Sequence, residues 1–130
     1  MLGDGTGAEP SAEAVSFAER RGIGPVVQSG AESLPFEDAS FDLVMAFDVL
    51  EHIEDDRGAL RELRRVVRPD GALVVTVPAY RWLWSQHDET HHHVRRYTRR
   101  VLRANAEASG WRTSFATYFN TLLLPPIALV

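Results

Sequence analysis

Two short apolar runs, Phe41 to Phe47 and Ala72 to Val77, flank a stretch of helical periodicity, and that order constrains the fold more than any other feature. Each run is too short for an ordinary helix and rich enough in Val, Phe or Leu for a buried parallel strand. Between them Leu60, Leu63, Val66 and Val67 recur at helical spacing, while Arg57, Arg61, Arg64 and Arg65 take the other positions. Asp55 or Asp56 can cap this helix, which the pattern carries to about Val67.

The same alternation extends in both directions. Ser11 can cap a helix from Ala12 that ends at Gly22, and Pro25 to Gln28 reads as a short strand. A polar loop follows from Gly30 to Ser40, interrupted by Pro35. Pro69-Asp70-Gly71 is expected to turn the chain between helix and strand. Thr98 can cap a helix to Ser109, closed by Gly110, and Trp111 to Phe119 alternates enough for a last strand. Helix and strand in alternation argue for a layered α/β fold. No repeat or linker divides residues 1–130, so one domain is expected.

A doubly wound sheet needs several strand-helix-strand units of ~30 residues each, so a chain of 130 residues is short for one. A hydrophobic content of 45% and a charged content of 25% are ordinary for a globular protein. Eighteen acidic against fourteen basic residues leave a net charge of -4, which disfavours nucleic acid as a partner. Without cysteine there is no disulfide or thiolate metal site, and without a basic-then-apolar start a cytoplasmic location is expected. The apolar tail, residues 121–130, has about half the ~20 residues of a spanning helix. It reads either as a packed terminal segment or as a peripheral membrane-facing or partner-facing element.

In open α/β sheets ligands bind beyond the carboxyl ends of the strands. Asp48-Val49-Leu50-Glu51-His52 falls directly after the first apolar run and brings three ionisable side chains to such a place. The bland alternative has Asp48 capping a helical turn, Glu51 solvated and His52 a satisfied, partly buried histidine. Glu9, on its own, is a carboxylate favoured at a helix start. The segment from Ala79 to Arg96 is long, aromatic and histidine-rich, which suits a functional or flexible loop. Three adjacent histidines, His91 to His93, cannot all converge on one ion and no helical i, i+4 histidine pair is expected, so no metal is assigned.

Glu32-Ser33-Leu34-Pro35-Phe36, Phe41-Asp42-Leu43-Val44, Asp48 to His52 and Arg68-Pro69-Asp70-Gly71 follow one another at close spacing. Together they resemble the middle of a class I S-adenosylmethionine-dependent methyltransferase of the type 11 group, from about Ala8 to Asn120. The resemblance implies a Rossmann-like α/β fold, a mostly parallel, doubly wound sheet with flanking helices, and S-adenosyl-L-methionine as cofactor. It implies cofactor contacts from Glu9 to the ribose, from Ala31 and Glu32 to the adenine, and from Phe47 and Asp48 to the methionine part. Gly30 stands where the family usually has Asp, which removes one adenine contact. His52 would face the substrate as a candidate catalytic base, since an unperturbed imidazole titrates at ~6.5. His87, His93, Arg96 and Tyr97 match a lid that borders the acceptor pocket. A small-molecule or lipid-like acceptor is implied rather than nucleic acid.

Gly3-Asp4-Gly5-Thr6-Gly7 looks like the family's glycine-rich loop, which would put Gly5 and Gly7 beside the methionine moiety. In the family that loop follows a strand and opens a helix; here Glu9 follows almost at once. The expectation is a partial sheet whose central first strand is missing or reduced to Met1-Leu2, by truncation or internal deletion. Such an edge invites self-association into a homo-oligomer. Two rivals stand beside the methyltransferase reading: a non-catalytic remnant serving as a binding or self-association module, and a nucleotide-linked oxidoreductase, whose fingerprint is incomplete here.

Overall fold

The computed structural model describes residues 4–119. Strand β1 (Gly7–Glu9) leads to helix α1 (Ala12–Arg20), and strand β2 (Val26–Gln28) pairs with β1 in parallel, Gly7 opposite Val26 and Glu9 opposite Gln28. Ser11 caps α1 by accepting from the Ala14 N–H at 3.3 Å, as its position predicted. Strand β3 (Phe41–Phe47), helix α2 (Asp56–Val66) and strand β4 (Val67–Thr76) form the second parallel pair. Asp55 is the α2 cap and accepts from the Gly58 N–H at 2.8 Å. A short helix α3 (Gln86–Thr90) and helix α4 (Arg99–Ala108), capped by Thr98, complete the regular structure.

Among the described residues the two strand pairs are separate sheets, β1 with β2 and β3 with β4, and no strand bridges β1 to β3. The partial sheet expected from the short N-terminal region is therefore present. Its consequence is visible on β3. Leu43, Met45 and Phe47 are about half exposed or more, and Ala46 is the buried residue of that strand. The run is apolar as expected, but among the described residues one face lacks the cover that a buried parallel strand requires.

Two expectations are corrected. Arg68 to Gly71 does not separate helix from strand; it lies inside β4 as an irregularity, with Phe41 opposite Val67 and Leu43 already opposite Ala72. Gly71 is needed there, since an added Cβ would come within 2.8 Å of the Asp42 carbonyl oxygen and 2.7 Å of Val67 Cγ1. Residues 111–119 form no strand. Trp111 is held by side-chain bonding instead, its indole N–H donating to the Leu60 carbonyl at 2.9 Å and its ring stacked under the Arg64 guanidinium. The tail, residues 121–130, lies outside the described residues.

The core forms where α2, the turn after β3 and the segment before α4 meet. Leu50, Ile53, Ala59, Leu60 and Tyr97 are its buried members, and Ala31, Leu73, Val75, Val77 and Leu102 pack against them. Among the described residues no helix is long and apolar enough to cross a membrane.

Candidate active site

Strand β3 ends in a backbone conformation that few residues tolerate. Asp48 has φ 52°, in the left-handed region, where a residue other than glycine carries a cost of ~1 kcal/mol or more. Its N–H donates to the Thr76 carbonyl at 3.0 Å and its Oδ1 accepts from the Thr76 hydroxyl at 3.3 Å, so β4 holds the strained residue in place. The chain then makes a 3-10 turn over Leu50–His52, which buries Leu50 and Glu51 and leaves His52 exposed. This reverses the bland reading of the motif, in which Glu51 was solvated and His52 partly buried. Burial pushes the Glu51 carboxyl up from its ordinary value, and the Asp48 charge acts in the same direction.

The histidine-rich segment is a built structure rather than a plain loop. Asp88 is fully buried and accepts from Arg96 Nε at 2.6 Å and Nη2 at 2.8 Å, from the Ser85 N–H at 2.9 Å, and faces His93 Nδ1 at 2.9 Å. The bidentate Arg96 guanidinium holds the Asp88 carboxyl well below the usual carboxylate range, and the His93 contact adds to it. Arg96 also donates to the Ala79 carbonyl at 3.1 Å. His93 stands edge-on to His52, ring centroids 4.7 Å apart, so the two histidines inferred for the substrate side do converge.

Tyr97 and Arg96, also expected to border the acceptor pocket, are engaged inside the protein. Tyr97 is 2% exposed and its hydroxyl donates to Asp56 Oδ2 at 2.8 Å and to the Leu50 carbonyl at 3.3 Å. Burial raises its phenol well above the ordinary range, with Asp56 adding to the effect. His87 is exposed, and its ring lies 4.1 Å, centroid to centroid, from that of His91. These two stand four residues apart along α3 and its C-cap, so the i, i+4 spacing that sequence reading did not expect is present. An open, mostly apolar hollow of about 730 Å³ lies between β4, α4 and residues 111–119, with Asp48 at its rim. His52, His87 and His93 do not line it, so the histidine face and this hollow are different surfaces.

On the other side of the core, the loop after β2 is fastened to α2. Arg65 donates to the carbonyls of Leu34 at 3.0 Å and Phe36 at 2.8 Å and to Asp38 at 2.7 Å, and Glu62 accepts from the Leu34 N–H at 2.8 Å. Ala31 is drawn against the core cluster, while Glu32 stays exposed with its carboxylate over Gly30. Glu9 closes β1 and one of its oxygens accepts from the Ser11 N–H at 2.9 Å. Phe47, at the end of β3, is 53% exposed. Gly5 lies in open coil and Gly7 in the β1 ladder, so neither opens a helix.

Comparison with known proteins agrees with this layout. The family model described as "Methyltransferase domain" matches residues 2–75, more than half of the chain. The uncharacterized methyltransferase YcgJ of Bacillus subtilis is 42% identical over 64 residues, 48% of this chain and 25% of that protein. Its crystal structure superposes with a TM-score of 0.69 at 29% identity, over 80% of this chain and 50% of that one. The ubiquinone/menaquinone biosynthesis C-methyltransferase UbiE of Hahella chejuensis is 51% identical over 49 residues, 38% of this chain and 20% of that protein. A SAM-dependent methyltransferase of Thermotoga maritima shares the fold, with a TM-score of 0.71 at 24% identity over 82% of this chain and 55% of that one. The chain thus spans a quarter or less of these two curated relatives and about half of these two solved structures. With a partial parallel α/β sheet, a strained acidic residue at a strand end and a family match across both strand pairs, the chain belongs to the class I S-adenosylmethionine-dependent methyltransferases.

Proposed function

We propose that the chain is a single, incomplete methyltransferase domain over residues 1–130 that methylates a small-molecule or lipid-like acceptor and grips its cofactor by the adenosine end. The observation that carries this reading is the Arg65–Glu62 clamp, which pre-forms the loop from Ala31 to Asp38 beside the strand ends. Glu9 would take the ribose, Ala31 and Glu32 the adenine, and Phe47 and Asp48 the border of the methionine part. The glycines do not fit their family role: Gly5 has no heavy atom within 4 Å of where a Cβ would stand, so it forms no cradle, and Gly7 is committed to a strand.

S-adenosylmethionine, when bound, supplies an electrophilic methyl group, and transfer is an in-line displacement that rewards alignment and exclusion of water. The chain's own residues supply that alignment from two sides. Asp48 is held rigidly by Thr76, and the Asp88–Arg96 node holds the lid that carries His93. His52 is exposed beside it, free to accept a proton from a hydroxyl, amine or acidic carbon. Trp82, Trp84 and Val94 are exposed on the same lid, an apolar rim that suits an apolar acceptor. The name of the Hahella relative, a quinone-biosynthesis C-methyltransferase, supports the same class. Net charge argues against nucleic acid as a substrate.

Saturation-transfer NMR with S-adenosylhomocysteine tests the reading. Transfer to the adenine and ribose protons is expected to exceed transfer to the homocysteine protons, and Glu9→Ala is expected to weaken it. No transfer at all, together with self-association in light scattering, would instead favour a non-catalytic module. Calorimetry is expected to give weak binding of S-adenosylmethionine; tight binding would overturn the adenosine-end reading.

A further inference from the structure

Glu51 is a buried carboxylate on the turn that follows β3. It is 0% exposed, and among the described residues neither Oε1 nor Oε2 meets a hydrogen-bond donor. An ionised carboxylate in such a place is strongly disfavoured unless it is paired or ligates a cation. One carboxylate oxygen of Glu51 and one ring nitrogen each of His52 and His93 lie within 4.8 Å of one another. His93 Nδ1 is 2.9 Å from Asp88, whose other contacts are the Arg96 guanidinium and Ser85. A carboxylate that accepts a hydrogen bond from Nδ1–H fixes the tautomer and leaves the Nε2 lone pair for a ligand, the arrangement found behind metal-bound histidines.

We propose that Glu51, His52 and His93 bind one divalent cation of the zinc class through two imidazole nitrogens and one carboxylate oxygen, leaving a coordination position open toward solvent. Two nitrogens and one oxygen suit zinc and its neighbours in the first transition row, whereas magnesium and calcium demand shells dominated by oxygen. With bonds of ~2.0–2.1 Å, tetrahedral donors sit ~3.3 Å apart. Closing the cluster therefore requires shifts of about 1 Å, which the exposed His52 can supply by side-chain rotation. Spacing alone hides the site, because His93 arrives from the lid while Glu51 and His52 come from the turn after β3. An ion there would polarise an acceptor hydroxyl, and His52 would serve as a ligand instead of a base. The test of this site stands apart from that of the methyl-transfer reading, since cation binding is measured without cofactor.

The test uses the full chain with any affinity tag removed, titrated with ZnCl2 by calorimetry and followed in parallel by thermal unfolding, with MgCl2 as control. One zinc per chain and a saturable rise in Tm are expected. Glu51→Gln and His93→Gln should each weaken zinc by about tenfold or more, in the range typical of metal-site changes. Glu51→Gln keeps the size and shape of the side chain, so its fold is expected to survive, and far-UV circular dichroism checks this. Cobalt substitution gives a second readout, visible bands of a four-coordinate ion, independent of stability. The exposed pair His87 and His91 is the competing site, and the double change His87→Ala/His91→Ala is expected to keep zinc binding. Binding that is absent, that is lost in this double variant, or that is unchanged in a folded Glu51→Gln chain would overturn the proposal. None of these results bears on the S-adenosylhomocysteine experiment, so the two readings fail separately.

Discussion

The backbone N–H of Val94 donates to the carbonyl oxygen of Glu51 at 2.8 Å, joining the histidine-rich segment to the turn that follows β3. Arg95 reinforces the junction by donating to the Glu54 carbonyl at 2.7 Å and pairing with Asp56 at 3.3 Å. The position of His93 relative to His52 is therefore set by backbone geometry, and order in residues 79–96 and at the strand end should rise and fall together.

Asp88 is the node on which that order depends. Asp88→Asn keeps the shape but removes the charge facing Arg96 and His93, leaving a mostly buried guanidinium without its partner. A loss of about 3 kcal/mol is expected from breaking a buried pair. Urea unfolding measures it, and hydrogen exchange should report faster opening across residues 79–96.

Tyr97→Phe tests the core polar network. The hydroxyl is buried against Asp56, which also accepts from Asn105 Nδ2 at 2.8 Å. Its removal should cost about 1–2 kcal/mol, the usual penalty for leaving a buried acceptor short of a donor. The phenol is raised in the folded state, so its contribution is complete below the unfolded value of ~10 and is lost as pH rises further. Stability of the wild type should fall in alkali, and the phenylalanine variant should lack that component.

Glu62 makes the opposite prediction at low pH. The Arg65 hydrogen bond lowers the Glu62 carboxyl from its ordinary value, so its stabilising effect is present above ~4.3, the unfolded value, and disappears as pH drops through the lower folded one. The stability gap between wild type and Glu62→Gln should be widest near neutrality and close in acid. A gap that is constant from pH 7 to pH 3 would contradict the clamp.

Arg65→Gln should free the loop without unfolding the chain. The amide of Leu34, which depends on Glu62, is expected to exchange faster, and the adenine signal in saturation transfer should weaken. Unchanged exchange at Leu34 would remove Arg65 from the role of organiser.

The elements that carry strong local signals were legible. Phe41 to Phe47 and the Asp55, Ser11 and Thr98 caps are where propensity and capping chemistry put them. Residues 111–119 alternate like a strand but form none, because Trp111 is committed to Leu60 and Arg64 and, among the described residues, no neighbouring strand offers a ladder. Pro69-Asp70-Gly71 has turn chemistry, yet a bulge within β4 accommodates the same residues. The placement of Asp48 and His52 directly after β3 was legible from the apolar run that precedes them. Asp88 was missed because nothing near it in the sequence announces burial, and Glu51 was misread because amphipathic spacing does not reveal a 3-10 turn directed inward.

The separation of the two sheets has a mechanical side. Among the described residues, every hydrogen bond between residues 4–38 and residues 41–119 ends on the side chain of Glu62 or Arg65. Apart from apolar packing such as that of Ala31, the first two strands hang from the rest of the molecule by adjacent turns of one helix. Load or heat applied to the N-terminal unit passes along the chain into β3, through the packing of Ala31 and through α2, and α2 carries every side-chain hydrogen bond on that route.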